Sequence, residues 1–269
     1  MKKIFLLLAL VLYSAAAYAQ SQRAPLPLNE CRVHSPWGFA ETAQTLRPIC
    51  RQGYLSAYDE AAKIPAYVAY TLTPANALGC VPRNDAFAVD ASVRNGPRPD
   101  DYANSGFDKG HMAPDGDQSW DPIVDRESFL MTNMTPQAPS FNRGIWKLLE
   151  TTIRGWVVQQ NSTYTIYVGA IYNDSDRRIG RGVAVPHAFY KIVVNHSEGT
   201  YAGWLFPHVA PYPNLGNNLV QFRTPVAQIQ RNANARFEFP ANAREVPVGR
   251  EWPVDYGALT RAKRDKCRQ

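Results

Sequence analysis

Asp108-Lys109-Gly110-His111 sets an acid, a base and an imidazole within four residues, and glycines at 106 and 110 flank Phe107–Lys109. A glycine directly before a histidine lets the backbone come close to a bulky partner and aims the ring outward. An imidazole with an ordinary pKa near 6.5 is largely neutral at about pH 7 and can take a proton from water. A second stretch answers the first: Thr132-Asn133-Met134-Thr135-Pro136-Gln137, then Asn142-Arg143-Gly144-Ile145-Trp146-Lys147-Leu148-Leu149-Glu150. A side-chain amide and a carboxylate are hard oxygen donors, suited to a divalent cation such as Mg2+. These residue types suggest water activated by His111, facing Asn142 and Glu150 across a metal ion.

Helices and strands must bring these groups together. Apolar residues Ile145, Leu148, Leu149, Ile153, Trp156 and Val157 recur at helical spacing, which predicts a helix capped by Ser140 and extending to about Gln160. Asn142, Trp146 and Glu150 then fall at i, i+4 and i+8, on one narrow face. Ser128-Phe129-Leu130-Met131 reads as a core strand running into Asn133, and Tyr67–Leu72 as the first convincing strand of the chain. Residues 20 to 60 read as irregular, because Pro25, Pro27, Pro36 and Pro48 break long elements. Phe87–Val89 is a candidate short strand, and Ser92–Ser105 a turn-rich loop delivering the chain to Asp108. Further strands are expected at Tyr164–Val168, Phe189–Val194 and Tyr201–Phe206, and a helix opening at Thr224-Pro225. Strands on both sides of a long helix, without regular alternation, argue for a single α+β domain with a mostly antiparallel sheet flanked by helices.

Asp108-Lys109-Gly110-His111 resembles the D-R-G-H signature of the DNA/RNA non-specific endonucleases, the endonuclease G-like ββα-metal nucleases. Asn133, Pro136, Gln137, Asn142, Trp146 and Glu150 are similar to that family's N-x-x-P-Q-x-x-x-x-N-x-x-x-W-x-x-x-E pattern. The likeness runs from about Tyr67 to Pro240 and includes Pro186-His-Ala-Phe-Tyr-Lys191. Two linked motifs at compatible spacing are stronger evidence than one. The resemblance implies a ββα-metal active site with His111 as general base, Asn142 as direct metal ligand and Glu150 holding metal-bound water. It places Asn133 and Gln137 with the catalytic set, supporting the site by hydrogen bonding. Arg83 resembles an upstream arginine that stabilises charge on the phosphorus. Asp108, Gly110 and Trp146 are expected to shape the site rather than react. Lys109 stands where the family most often has arginine; it keeps the charge and loses the planar fork that grips two phosphate oxygens. The implied reaction is Mg2+-dependent hydrolysis of DNA and RNA to 5′-phosphate products, with Mn2+ or another divalent ion as an alternative. A non-catalytic nucleic-acid-binding module and a phosphodiesterase for another substrate are the competing classes.

Lys2 and Lys3, the apolar run Ile4–Leu12 and Ala17-Tyr18-Ala19 read as a signal peptide over residues 1–19, leaving one domain over 20–269. This predicts a periplasmic or secreted protein. No later segment is long and apolar enough to span a membrane. Four cysteines, Cys31, Cys50, Cys80 and Cys267, suggest two disulfides with three pairings open. Zinc is the competing use, and no Cys-x-x-Cys pair supports it. The formal net charge of +6 suits a polyanionic partner, although basic balance alone is more often a solubility trait. Biological role, oligomeric state and the existence of an inhibitor protein are open at this level.

Overall fold

The β-branched and aromatic run Ile64–Leu72 becomes the longest strand of a seven-stranded sheet. In the computed structural model, residues 23–268 are described, and the segment expected to be a signal peptide lies outside them. The sheet order is Arg244–Glu245, Thr200–Pro207, Ala188–Asn195, Tyr164–Ile171, Ile64–Leu72, Leu55–Asp59, Arg47–Cys50. All neighbours are antiparallel except Thr200–Pro207 with Arg244–Glu245. The architecture is α+β, as the interrupted strand–helix pattern predicted.

Two-residue alternation sends side chains to opposite faces of this sheet. Val68, Tyr70, Ile166, Val168, Phe189, Val193, Trp204 and Phe206 face one core, which the helix Lys147–Gln159 covers with Leu149, Ile153, Trp156 and Val157. Tyr67, Ala69, Tyr167, Tyr190, Ile192 and Val194 face a second core, closed by Val226 and Ile229 of the helix Val226–Ala233 and by Phe237. At about 25 cal/mol per Å2 of apolar area, these two faces supply the main drive for folding.

Four expectations need correction. The region 20–60 contains two sheet strands, Arg47–Cys50 and Leu55–Asp59. Pro48 is tolerated there because its strand is the sheet edge, where a missing N–H leaves no inner ladder bond unmade. Ser128–Met131 is not a strand: Ser128 ends the helix Pro122–Ser128, capped by Asp121, and Met131–Asn133 form a 3-10 turn. Phe87–Val89 contributes only a bridge, Ala88 to Leu130. The helix before Gln160 has no serine cap; Pro139–Phe141 form its first turn after Ala138, and a π turn spans Asn142–Trp146 before Lys147.

Both pairs of cysteines are disulfides, Cys31–Cys50 and Cys80–Cys267. The second ties the C-terminal helix Tyr256–Lys266 to the connection that leads to Arg83. No helix among the described residues is long and apolar enough to cross a membrane.

Candidate active site

Asp108–His111 forms a short antiparallel pair with Met134–Gln137, matching Asp108 with Gln137 and His111 with Met134. The chain then turns at Ala138 into the helix, so two strands and a helix present the motif residues. Gly110 is required by closeness: a β-carbon there would run into the side chain of Gln137. Gln137 is fully buried, and so is Asn133, which accepts from the Ala113 amide at 2.9 Å and donates to the Ala113 and Ser128 carbonyls at 2.9 and 2.7 Å. Neither lines the cavity described next. Asn133 ties the turn after His111 to the end of the helix Pro122–Ser128 through backbone groups, while Gln137 donates to the Thr135 hydroxyl at 3.3 Å.

A cavity of about 660 Å3 opens where hairpin and helix meet. His111, Lys109, Asp108, Arg83, Asn142 and Glu150 all line it, joined by Asp115, Arg143, Lys147 and Arg154. Five basic side chains face three acidic ones, and each acid is already paired: Asp108 with Arg143 at 2.6 Å, Asp115 with Arg83 at 3.5 Å and Glu150 with the buried Lys191 at 3.5 Å. The surplus of positive charge favours an anionic guest.

His111 is only 8 % exposed, with its ring edge-on to Phe129 at 4.9 Å and tilted against Phe87 at 5.7 Å. Its buried Nε2 has no hydrogen-bond partner. Burial, with a smaller push from the Arg83 charge, lowers its pKa to about 3. The imidazole is therefore neutral across the physiological range, with a lone pair or proton held in reserve. Lys109 rests its ammonium over the Phe87 ring at 4.8 Å, and Arg83 its guanidinium over Phe129 at 5.2 Å. Aromatic rings thus position both cations and the imidazole.

Asn142 donates its amide nitrogen to Asp108 Oδ2 at 2.9 Å, and Arg143 clamps both Asp108 oxygens at 2.8 and 2.6 Å. Burial works against the Asp108 charge, but these hydrogen bonds and the Arg143 charge hold its carboxyl below the usual range. The anchored nitrogen fixes the orientation of the Asn142 amide and leaves its oxygen as the available acceptor. Glu150, with its side chain 12 % exposed, lies 3.5 Å from Lys191 Nζ. Burial raises its pKa, opposed by the charges of Lys191 and Arg154.

No group of three or more His, Cys, Asp or Glu residues among the described residues could hold a metal ion. One oriented amide oxygen and one carboxylate fit a cation that keeps most of its waters and takes substrate oxygens, the habit of Mg2+. They do not fit a closed zinc site, which uses four protein ligands.

Trp146 does not line the cavity; its ring lies beneath the Lys191 ammonium that reaches Glu150. It is fully buried in the core, while Asn142 and Glu150 line the cavity. The π turn, with the non-helical backbone of Gly144, breaks the regular spacing between Asn142 and the helix. Motif reading missed Arg154 and Lys191. Arg154 lies one turn beyond Glu150, a spacing that the sequence displays. Lys191 is a lone cation in an apolar strand, fully buried with its ammonium 4.0 Å over the Trp146 ring. The remaining histidines are accounted for by packing and hydrogen bonds: His34 to the Gln52 carbonyl, His187 to Asp176, His196 to Thr165, and His208 between the Ala138 amide and the Pro186 carbonyl.

Comparison with known proteins bears on its meaning. The family pattern described as DNA/RNA non-specific endonuclease matches residues 38–245. A nuclease of Nostoc sp. is 35% identical over 145 residues, 52% of each chain, so this chain spans about half the length of that relative. A nuclease of Serratia marcescens is 29% identical over 239 residues, 84% of this chain and 85% of that one. Among solved structures, a crystal structure of the EndoG/EndoGI complex superposes with a TM-score of 0.67 at 25% identity, over 80% of this chain and 93% of that one. With the pattern covering most of its 269 residues, the chain belongs to the DNA/RNA non-specific endonuclease family.

Proposed function

We propose that this chain is an exported, divalent-metal-dependent endonuclease that hydrolyses phosphodiester bonds of DNA and RNA, leaving 5′-phosphate ends. The observation that carries the reading is one cavity lined by an unpartnered buried imidazole and a carboxamide turned by Asp108. Asn142 and Glu150 would hold the cation, which when bound supplies Lewis-acid stabilisation to phosphate oxygens. The His111 imidazole takes the proton of the attacking water as that water's oxygen forms a bond to phosphorus and the P–O3′ bond breaks, the 3′-oxygen leaving as a hydroxyl with a proton from solvent. Lys109 and Arg83 stabilise the negative charge that develops there. Phosphate-directed contacts carry no sequence information, which accounts for acceptance of both nucleic acids. The disulfides support an oxidising compartment. EndoG is inhibited in its complex with EndoGI, and that precedent supports a protein inhibitor as a partner for this chain.

Supercoiled plasmid and ribosomal RNA, each incubated with Mg2+, with Mn2+ or with EDTA, test the proposal. Both substrates should be degraded with metal and remain whole in EDTA. Intact substrates under all conditions would contradict catalysis, and degradation in EDTA would contradict the metal's role.

A further inference from the structure

The family pattern ends at residue 245, yet the chain continues into a helix, Tyr256–Lys266, that docks beside the site. Its attachment is built from several contacts with the helix that bears Glu150 and Arg154. Tyr256 meets Thr152 hydroxyl to hydroxyl at 2.8 Å. Gln159 donates to the Asp255 carbonyl at 2.7 Å and accepts from its amide at 2.9 Å. The Trp156 indole donates to the Trp252 carbonyl at 2.7 Å. Cys267 then fixes the far end to Cys80, three positions before Arg83.

This segment is strongly basic. Between Tyr256 and Arg268 lie Arg261, Lys263, Arg264, Lys266 and Arg268, against the single acid Asp265. That short stretch carries most of the chain's net charge of +6. Arg261 reaches Asp255 at 3.6 Å and Arg264 reaches Asp265 at 3.4 Å, both as exposed pairs of little energetic weight. Lys263 is half-buried: burial lowers its pKa, the Arg154 charge acts the same way, and Asp115 and Asp117 oppose them. Asp115 and Arg154 are themselves cavity-lining residues. Basic residues in a last helical turn also interact favourably with the helix dipole, and that contribution needs no ligand. It does not require a disulfide and a set of side-chain contacts to hold the charges against one flank of the cleft.

We propose that the C-terminal helix is a second, backbone-directed contact surface for nucleic acid, continuing the basic lining of the cavity along the substrate strand. This rests on the nuclease reading and extends it to substrate length. Eleven helical residues span about 16 Å, enough to lie along several phosphates spaced about 3.4 Å apart on one strand. Substrates longer than the cavity gain these contacts; a few nucleotides do not.

The test uses the full chain in EDTA, with fluorescence anisotropy on a tetranucleotide and on a twenty-base-pair DNA duplex. The triple variant Lys263→Gln, Arg264→Gln, Lys266→Gln keeps helix-compatible side chains and removes three charges. Its affinity for the duplex should fall about tenfold or more, and the slope of log affinity against log salt should shrink by two to three, at about 0.9 per phosphate contact. Affinity for the tetranucleotide and the unfolding midpoint should stay as in the unaltered chain. Unchanged duplex affinity overturns the proposal, as does a loss seen only with heparin or anionic vesicles. A variant with a lowered midpoint is replaced by Lys266→Gln alone, at an exposed position, which should reduce the slope by about one; no reduction again overturns it. Duplex binding that follows this pattern in a chain that cleaves nothing with Mg2+ sinks the nuclease reading and leaves the contact surface standing.

Discussion

At the scale of single residues, the histidine is prepared by what surrounds it. Phe87 and Phe129 remove water from the His111 ring, and Arg83 adds a like charge, so protonation is disfavoured down to about pH 3. An ordinary histidine titrates near 6.5. In NMR titrations of the free protein, the His111 ring signals should therefore keep their neutral positions from pH 8 to about pH 4. A midpoint near 6.5 would contradict the burial argument. The same shift has a stability consequence with a definite sign. A histidine whose folded pKa lies below its unfolded value stabilises the fold fully above about pH 6.5, and the contribution is lost as pH falls toward about 3. Between pH 7 and pH 5 the unaltered protein should lose about 2 kcal/mol more than His111→Gln in denaturant unfolding. Equal losses would show that His111 is not the group responsible. Gly110 supplies a steric test: Gly110→Ala drives a methyl group into the buried Gln137 side chain and should cost about 1–3 kcal/mol, read as a lower denaturation midpoint.

At the scale of elements, the hairpin and the helix meet through one carboxylate. Asp108 is on the first strand, Asn142 and Arg143 are in the π turn, and three hydrogen bonds join them. Asp108→Ala should leave Asn142 free to rotate and weaken Mn2+ binding by about 10–100-fold, measured by calorimetry; an unchanged affinity would remove the positioning role. The motifs on both elements were legible because their residue types and spacing are local. Helical periodicity located Ile145 to Val157 correctly, and β-rich runs located the four long inner strands. Other features resist local reading. The π turn depends on the backbone of one glycine, and nothing in the types around Gly144 announces it. Ser128–Met131 looked like a strand because an apolar run has no period of its own; the decisive signal was Asp121-Pro122 upstream, an N-cap followed by a first-turn proline. The edge strand containing Pro48 was hidden because proline argues against strands except at edges, and edges are known only from the assembled sheet.

At the scale of the molecule, long-range pairings decide which charges share the cavity. Lys191 comes from the opposite side of the core and meets Glu150 only because the sheet packs on that helix. No sequence spacing encodes that contact. The Cys80–Cys267 bridge closes a loop 187 residues apart, fastening the end of the chain beside the approach to Arg83. Replacing both cysteines by serine should cost about 2–4 kcal/mol in unfolding free energy, and a loss below about 0.5 kcal/mol would mean that the helix is held by its side-chain contacts alone. One imidazole and one carboxamide acting in the same cleft carry the proposed mechanism. Its most direct test is plasmid cleavage with Mg2+ by the unaltered chain, His111→Ala and Asn142→Ala, with DNA binding measured in parallel in EDTA. Each substitution should reduce the cleavage rate at least about a hundredfold while DNA affinity stays within about threefold. Cleavage at the original rate by either variant would contradict the assignment of that residue and, for His111, the proposed mechanism itself.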